Sequence, residues 1–218
     1  MDAMSETTSL SSGDVRMEGD NSALMDEFGA HPSTYRPFLE ELCEKTKFSK
    51  SEIRFLYRGF KQECPGGIVQ EDTFKEIYAK FFPYGNSSMY AHLVFKAFDI
   101  TSVGAITFKD MILTLSTLLR GSSREKLRWI FSRLYDLNGN GFITKRELFD
   151  IVSAVHDLVG VSKQQAQAED RKTRDHVDKI FSKFDVNRDG IVTIEEFLES
   201  CLKDELIMKS LQVFSTTL

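Results

Sequence analysis

The sequence predicts an all-α fold in which four helix–loop–helix repeats pair into two lobes. In each repeat an aromatic residue ends a helix, a glycine stands at the sixth loop position, an aliphatic residue stands at the eighth, and a second helix follows. A single repeat of this kind buries its apolar face poorly, so we expect the first to pair with the second and the third with the fourth. The aligned glycines are Gly66, Gly104, Gly141 and Gly190, and the aligned aliphatic residues are Ile68, Ile106, Ile143 and Val192.

The repeats divide the chain into three parts. Residues 1–30 are expected to form a flexible acidic tail, because they hold too few apolar side chains to offset the entropy lost on ordering. Residues 31–120 are predicted to form an N-terminal lobe and residues 121–218 a C-terminal lobe. Between paired loops we expect short two-stranded β-ladders, with Ile68 opposite Ile106 in the first lobe.

The overall composition is typical of a soluble globular protein. Of 218 residues, 41% are hydrophobic and 28% are charged, and the net charge is −5. Residues 1–30 hold seven acidic residues and one arginine, so the remainder is nearly neutral and we expect no nucleic-acid-binding face. The three cysteines form no CxxC pair, and no apolar run is long enough for a secretory signal or a membrane span, so we expect a reduced cytoplasmic protein. Because residue 2 is Asp2 and not glycine, we expect no N-myristoylation.

The third and fourth loops have the ligand pattern of a calcium-binding EF-hand. Calcium takes roughly six to eight oxygens, which a twelve-residue loop supplies from side chains, one backbone carbonyl and a closing glutamate. The four loops are 61–72, 99–110, 136–147 and 185–196; the third offers Asp136, Asn138, Asn140, the Phe142 carbonyl and Glu147, and the fourth offers Asp185, Asn187, Asp189, the Ile191 carbonyl and Glu196. The sequence therefore predicts two Ca²⁺ sites, both in the C-terminal lobe. We expect the fourth loop to bind more tightly, because it offers three carboxylates against two.

The first two loops lack this donor set. In the second loop, Val103 at position 5 has no side-chain oxygen, and Asp110 replaces the longer glutamate at position 12. Weak Mg²⁺ binding, or none, is expected there. In the first loop, Lys61 places a cation at position 1, Pro65 fills position 5 and Asp72 stands alone at position 12. We expect the first loop to be purely structural.

Four capping boxes predict where helices begin. In each, a Ser or Thr precedes a Glu by three positions, so that the two side chains satisfy backbone amides of the first helical turn. The pairs are Ser49–Glu52, Ser122–Glu125, Thr144–Glu147 and Thr193–Glu196. In the last two pairs the glutamate is also the closing metal ligand, so metal binding and helix placement share one set of atoms.

The third repeat contains one extra residue before its loop. In the second and fourth repeats a phenylalanine precedes the loop by four residues, as Phe95 and Phe181, but Phe131 lies one residue too early. The insertion falls at Ser132–Arg133. Two outcomes are open: a π-bulge absorbs the residue, or the preceding helix rotates about 100° relative to the loop.

Several apolar stripes are wider than a helix needs for core packing. They predict a groove that takes a partner helix, although each residue taken singly is also explained as lobe core. The stripes are Phe74, Ile77, Tyr78 and Phe81; then Tyr90, Val94 and Phe98; then Phe108, Ile112, Leu115, Leu118 and Leu119. Near the C-terminus Ile207, Leu211 and Phe214 share one helical face. That face either belongs to the core or occupies the groove until a partner displaces it.

Several short motifs resemble the potassium-channel-interacting proteins (KChIPs), the calsenilin branch of the neuronal calcium sensors. The likeness covers about residues 35–218. Its motifs are Tyr57-Arg58-Gly59-Phe60-Lys61, Glu63-Cys64-Pro65, Phe81-Phe82-Pro83, Leu118-Leu119-Arg120-Gly121, Glu125-Lys126-Leu127-Arg128-Trp129, Asp189-Gly190-Ile191-Val192-Thr193 and Glu196-Phe197-Leu198-Glu199-Ser200-Cys201. The Ser132–Arg133 insertion departs from that family and puts coupling through the third repeat in doubt.

The resemblance implies a calmodulin- or recoverin-like pair of lobes with two working Ca²⁺ sites in the second. It also implies a non-catalytic subunit that clasps the cytoplasmic N-terminal segment of Shal-type, A-type potassium channels and alters their gating and surface expression. Such a protein forms an oligomer with the channel and lies at the plasma membrane through it.

Two other functions remain open from the sequence. One is a Ca²⁺-dependent transcriptional repressor, a role also attached to calsenilin, and the other is an enzyme regulator of the recoverin kind. The nearly neutral folded part disfavours strong DNA binding. We expect no enzyme, because the four histidines lie near no nucleophile motif and no HExxH.

Overall fold

The computed structural model describes residues 32–159 and 166–213. The chain separates into a short unit, Met1–Glu41, and a larger unit, Leu42–Leu218. The helices are α1 Pro32–Lys45, α2 Lys50–Glu63, α3 Glu71–Phe81, α4 Ser88–Phe98, α5 Phe108–Arg120, α6 Ser123–Trp129, α7 Lys145–Leu158, α8 Ala166–Phe184, α9 Ile194–Lys203 and α10 Glu205–Val213, and the π-helical turn is Ile130–Tyr135. The predicted acidic tail, residues 1–30, and Phe214 lie outside the described residues.

The predicted all-α class with short two-stranded ladders is confirmed. Strand β1 (Ile68–Gln70) pairs antiparallel with β2 (Ala105–Thr107), and β3 (Phe142–Thr144) pairs antiparallel with β4 (Ile191–Thr193). The ladders join the first loop to the second and the third loop to the fourth. Hands one to four are defined here as the four helix–loop–helix repeats in chain order.

The register of the first loop differs from the prediction by one residue. Val69, and not Ile68, lies opposite Ile106. Val69 is 9% exposed and Ile68 is 43% exposed, so the buried residue of the ladder is Val69. The residue with a positive φ is Gly67 at 77°, where Gly66 was expected. Gln70 stands at the N-cap position of the following helix, and its side chain makes no capping hydrogen bond.

The shift has a physical cause at the end of helix α2. In hand two the aromatic residues Phe95 and Phe98 are three positions apart, and the loop begins directly after the second of them. The buried residues Tyr57 and Phe60 have the same spacing, so by this measure the first loop would begin at Lys61. The glycine turn and the ladder fit a loop one residue later, starting at Gln62. Hand one therefore contains an extra residue between Phe60 and its glycine turn, where α2 continues to Glu63, and the expected loop 61–72 corresponds to 62–73.

All four predicted capping boxes are present. Ser49, Ser122, Thr144 and Thr193 each accept the amide of the glutamate three residues on, and each glutamate accepts the amide of its capping residue. Thr107 and Asp110 form a fifth box at the start of α5. The helix starts around the loops are therefore set by local sequence.

The core of hands three and four is a single apolar cluster. Phe197 lies at its centre, with ring centroids 5.5 Å from Phe131, 5.8 Å from Tyr135 and 5.3 Å from Phe184. The buried members are Leu127, Phe131, Ile143, Leu148, Val177, Phe181, Val192, Phe197, Leu198, Cys201 and Leu211. Burial raises the pKa of the Cys201 thiol to about 12, so this cysteine is a structural residue.

Hand two also packs against hand three. Leu93 on α4 clusters with Ile151 and Ala154 on α7. At the end of α7, the Asn86 amide donates to the Asp157 carbonyl at 2.8 Å. A Cβ at Gly85 would lie 1.8 Å from the Leu158 carbonyl oxygen, so this approach requires glycine.

Crossed ion pairs join the start of α2 to the junction between α5 and α6. Lys47 pairs with Glu125 at 2.9 Å, and Arg120 pairs with Glu52 while its guanidinium lies 4.4 Å from the Phe48 ring centroid. The Arg120 hydrogen bond lowers the pKa of Glu52 to about 2, and the Lys47 hydrogen bond lowers that of Glu125 to about 2.

Within the described ranges, no helix is both long enough and apolar enough to cross a bilayer.

Candidate functional site

The third loop holds its side-chain oxygens on the inside of a tight turn. The amides of Asn140 and Gly141 donate to the Asp136 carboxylate at 3.0 and 2.8 Å. The Asn140 amide also donates to Asn138 Oδ1 at 2.9 Å, and the Phe142 amide donates to Asn140 Oδ1 at 2.9 Å. Gly141, with a φ of 88°, makes the reversal. Positions 1, 3 and 5 are thus fixed around one space by the backbone of their own loop.

Glu147 closes the third loop from the far side. Its Oε1 accepts the Asn138 amide at 3.3 Å, across nine residues. Its Oε2 accepts the amide and hydroxyl of Thr144 at 2.8 and 2.7 Å. One carboxylate therefore contacts ligand position 3 and also caps α7, as the capping box predicts.

The fourth loop repeats this bonding. The amides of Asp189 and Gly190 donate to Asp185 at 3.1 Å each, and the Asn187 amide donates to Glu196 Oε1 at 3.4 Å. The Asn187 side-chain amide adds a bond to Asp189 at 2.9 Å. The Thr193 amide is the main cause that lowers the pKa of Glu196, so this closing ligand is kept charged.

The position-7 residues begin the strands of the ladder. Phe142 lies opposite Thr193, and Ile191 lies opposite Thr144. Their carbonyls are the backbone oxygens that an EF-hand loop contributes. The ladder therefore fixes the relative position of the two candidate sites.

The second loop has only part of this arrangement. Asp99 accepts the amides of Val103 and Gly104 at 3.1 and 2.7 Å, and Asp110 accepts the amide and hydroxyl of Thr107 at 3.1 and 2.6 Å. Among the hydrogen bonds of the described residues, none joins Asp110 to the amide at position 3. The aspartate is one methylene shorter than Glu147, and Val103 offers no oxygen in any case.

Beside the first loop a lysine ammonium bonds to the loop backbone, and the loop itself lacks a metal-binding set of oxygens. The Lys61 ammonium donates to the Pro65 carbonyl at 2.6 Å. In the corrected register Lys61 precedes the loop, and positions 1 and 12 fall on Gln62 and Thr73. Neither end of the loop offers a carboxylate. The loop is still expected to be structural, but because of Gln62 and Thr73 and not because of Lys61 and Asp72.

The extra residue of hand three is absorbed by the π-helical turn. The Asp136 amide donates to the Phe131 carbonyl, five residues earlier, at 2.8 Å. The equivalent amides in hands two and four reach back only four residues, to Phe95 at 2.9 Å and Phe181 at 2.8 Å. Phe131 is buried as these two phenylalanines are. Of the two open outcomes, the structure therefore has the π-bulge, and the helix is not rotated.

The donor chemistry of the third and fourth loops fits Ca²⁺. Each loop presents carboxylate, amide and backbone carbonyl oxygens, the hard donors that this ion prefers, and no sulfur or imidazole. In residues 32–159 and 166–213, no group of three or more His, Cys, Asp or Glu side chains is placed so that it could hold a metal ion by itself.

An apolar cavity of about 320 Å³ lies between hand two, α6 and the C-terminal helix. We call it the groove. Its lining residues are Tyr78, Tyr90, Val94, Ala97, Phe98, Leu118, Lys126, Trp129, Ile130, Leu134 and Leu211. The predicted groove residues Tyr78, Tyr90, Val94, Phe98 and Leu118 are brought together there.

Other predicted groove residues lie elsewhere. Phe108 is buried with its ring centroid 4.9 Å from that of Tyr57, and Ile112 is fully buried, so these two belong to the core. This corrects the prediction for both, because the α5 stripe faces α2 at these positions. Phe74 stacks on Tyr78 beside the groove.

The remaining members of the stripes do not line the groove. Ile77 and Phe81 are exposed, Phe81 at 73%, and Leu115 and Leu119 are half-buried.

Sequence reasoning missed one wall of the groove. Lys126, Trp129, Ile130 and Leu134 come from α6 and the π turn. Lys126, Ile130 and Leu134 recur every four residues, which was a visible signal, but the insertion obscured which face they share. The sequence left open whether the C-terminal helix belongs to the core or occupies the groove. Leu211 does both, since it is buried in the core cluster and also lines the groove.

Comparison with protein families gives a match in the C-terminal part of the molecule. Residues 124–202 match the EF-hand domain pair. The matched segment begins in α6, ends in α9 and contains the third and fourth loops. The chain therefore carries an EF-hand pair, which implies calcium binding and supports a role as a calcium sensor.

Proposed function

We propose that this protein is a non-catalytic, calcium-sensing regulatory subunit with one Ca²⁺ in the third loop and one in the fourth. The observation that carries the proposal is the shared hydrogen-bond pattern of these loops, from the Asp136 and Asp185 turns to the closing Glu147 and Glu196. The second loop is assigned weak Mg²⁺ binding or none.

The loops are built to pass a change at the ion to a helix. Glu147 accepts hydrogen bonds from Asn138 inside the loop and from Thr144 at the start of α7. Bound Ca²⁺ supplies a divalent charge that attracts this carboxylate. Any shift of Glu147 toward the ion therefore acts on the first turn of α7, and Glu196 stands in the same relation to α9.

The groove supplies the surface on which a sensor acts. It is apolar, and α6 with the π turn forms one wall of it and continues directly into the third loop. An amphipathic helix fits such a surface by its apolar face. Binding there and binding at the third loop thus involve one continuous segment.

We infer that the partner is the cytoplasmic N-terminal segment of a Shal-type, A-type potassium channel. The resemblance of residues 35–218 to the KChIP branch supports this choice, and the groove gives it a physical basis. The protein acts in the cytoplasm, lies at the plasma membrane through the channel, and modulates channel gating and surface expression. Nucleic acid is not a partner in this proposal.

Co-purification with a fragment containing the channel N-terminal segment tests the proposal. The fragment is expected to retain the wild-type protein, and a charge introduced in the groove by Val94→Glu is expected to abolish retention. The exposed residue Val159, which lies outside the groove and outside the candidate calcium loops, is changed to Glu as the matched control. Failure of the wild type to bind with and without Ca²⁺, or equal retention of both variants, rejects the channel partner.

A further inference from the structure

Two histidines from different helices lie next to each other in hands three and four. His156 is in the last turn of α7, and His176 lies in the second half of α8. Their ring centroids are 6.1 Å apart, and the ring planes are nearly parallel, at 16°. His156 is half-buried and His176 is exposed, so an ion from solvent reaches both rings.

A buried threonine orients the first of these imidazoles. Thr173 is 5% exposed, and its hydroxyl lies 2.9 Å from His156 Nδ1. It is three residues from His176 on α8, so both side chains share the helix face that meets α7. When Nδ1–H donates to the Thr173 hydroxyl, the lone pair of the ring lies on Nε2. Metal-binding histidines are held in this way by a bond from their other ring nitrogen.

The separation of the rings matches that of two imidazoles on one ion. A Zn–N bond is about 2.0–2.1 Å long, so each ring centroid lies roughly 3 Å from a bound ion. Two centroids on one ion are therefore at most roughly 6 Å apart. The separation of 6.1 Å is at this limit, and a small rotation of the exposed His176 side chain brings it within the range.

We propose that His156 and His176 form a site for a divalent transition-metal ion such as Zn²⁺. Imidazole nitrogen binds Zn²⁺, Cu²⁺ and Ni²⁺, whereas Ca²⁺ and Mg²⁺ take oxygen ligands. The pair is thus distinct from the third and fourth loops, which present no imidazole. Water completes the coordination shell, because the part of the chain that the structure describes offers no third His, Cys, Asp or Glu here. Two protein ligands make a weaker site than the three or four of a resident zinc centre, so the ion is exchangeable.

An ion at this site joins the two calcium hands away from their loops. Helix α7 leaves the third loop and α8 leads into the fourth, and residues 160–165 between these helices lie outside the described ranges. Zn²⁺ bound by both histidines therefore ties the end of α7 directly to α8. This link does not depend on the channel partner proposed above.

The first test is a Zn²⁺ titration of the full chain in saturating Ca²⁺, which keeps Zn²⁺ out of the calcium loops. Wild type is expected to bind one Zn²⁺ that His156→Gln and His176→Gln each weaken by more than about tenfold, the least that loss of an outer-shell partner costs. The matched control is His92→Gln, since His92 contacts Glu71 at 2.7 Å in hand two and is outside the pair. No Zn²⁺ in wild type, or equal affinity in all three variants, overturns the proposal.

A spectroscopic measurement on wild type needs no variant to fold. Bound Cu²⁺, in the same saturating Ca²⁺, is expected to show nitrogen hyperfine splitting from two imidazoles in its electron paramagnetic resonance spectrum. Splitting from one nitrogen, or from none, overturns the two-histidine site.

The orienting role of Thr173 has its own pair of variants. Thr173→Val keeps the shape of the side chain and removes the hydroxyl, and it is expected to weaken Zn²⁺ binding by about 10- to 100-fold. Thr173→Ser restores the hydroxyl and is expected to restore the affinity. Equal affinity in the valine and serine variants would show that Thr173 does not orient His156.

Amide hydrogen exchange tests whether the ion joins the helices. At a Zn²⁺ concentration of 100 times the measured Kd, exchange in the last turn of α7 is expected to slow by up to about 100-fold, because the ion must leave before the helices separate. His176→Gln is expected to show no such slowing, although it leaves His156 in place. Zn²⁺ binding to wild type without slower exchange would overturn the link between α7 and α8.

Discussion

Hands one and three each contain one residue more than their neighbours, and they accommodate it in different places. In hand three the extra residue lies in the helix, where the π turn lets the Asp136 amide reach Phe131 and leaves the loop unchanged. In hand one it lies between Phe60 and the glycine turn, where α2 continues to Glu63, so Lys61 no longer stands at position 1. The comparison teaches that an insertion before the last aromatic residue of the incoming helix leaves the loop unchanged, whereas one between that residue and the glycine turn shifts the ligand positions.

The most severe way to break this comparison is to move the insertion of hand three into its loop. One glycine added after Asn138 separates positions 1 and 3 from the turn at Gly141. We expect the third loop to lose Ca²⁺ affinity by more than about 100-fold. Loss of a residue that only hydrogen-bonds to a metal ligand already costs about 10- to 100-fold, and this insertion displaces ligands themselves. Isothermal titration should then find one site fewer than in wild type, and retention of both sites would refute the explanation given for hand one.

The closing glutamates allow the third and fourth loops to be compared by replacing one carboxylate oxygen in each. Glu147→Gln and Glu196→Gln are expected to weaken Ca²⁺ binding at their own loops by about 100-fold, because each removes a charged ligand and keeps its size. Calorimetry of the two variants also ranks the loops. The variant that retains the fourth loop should bind more tightly, and the opposite order would reject the argument from carboxylate number.

Two substitutions in hand two are expected to create a weak Ca²⁺ site, a smaller effect than the losses of affinity described above. Val103→Asp with Asp110→Glu completes the donor set around Asp99 and Gly104. A third Ca²⁺ is expected to bind with a Kd of about 10 µM, the weak end of sensor sites. Val103→Asp alone is the control and should add no comparable site, since the short Asp110 remains.

The smallest expected effect concerns the ion pairs that hold hand one. The pKa of Glu52 is lowered from 4.5 to about 2, chiefly by Arg120. A lowered carboxylate pKa stabilises the fold above 4.5, and this contribution is lost as the pH falls through about 2. Arg120→Gln should raise the pKa of Glu52 toward 4.5 in a carbon-13 titration, with little change in stability at neutral pH because the pair is exposed. A Glu52 pKa that stays near 2 would show that Arg120 is not the cause.

Much of the fold and of the two candidate calcium loops could be predicted from sequence. Capping boxes and ligand spacing are local properties, so Thr144 and Glu147 indicated both a helix start and a loop end. The register of the first loop was not accessible in this way. Gly66 and Gly67 are adjacent, and only the backbone conformation shows which of them has the positive φ.

The remaining differences arise from packing between distant residues. The choice between a π-bulge and a rotated helix was decided by the contact of Phe131 with Phe197, which lie far apart in the chain. Burial of Phe108 likewise depends on Tyr57 in another helix. The hydrogen bond from Lys126 to the Leu211 carbonyl joins residues 85 positions apart, so local sequence could not predict it.

Counting and locating bound Ca²⁺ in the wild-type protein tests the central claim most directly. Native mass spectrometry with a Ca²⁺-soaked crystal gives both the number of ions and their positions. The account predicts two ions, one within the loop closed by Glu147 and one within the loop closed by Glu196. No ion in these loops, or equal occupancy of all four, would contradict it.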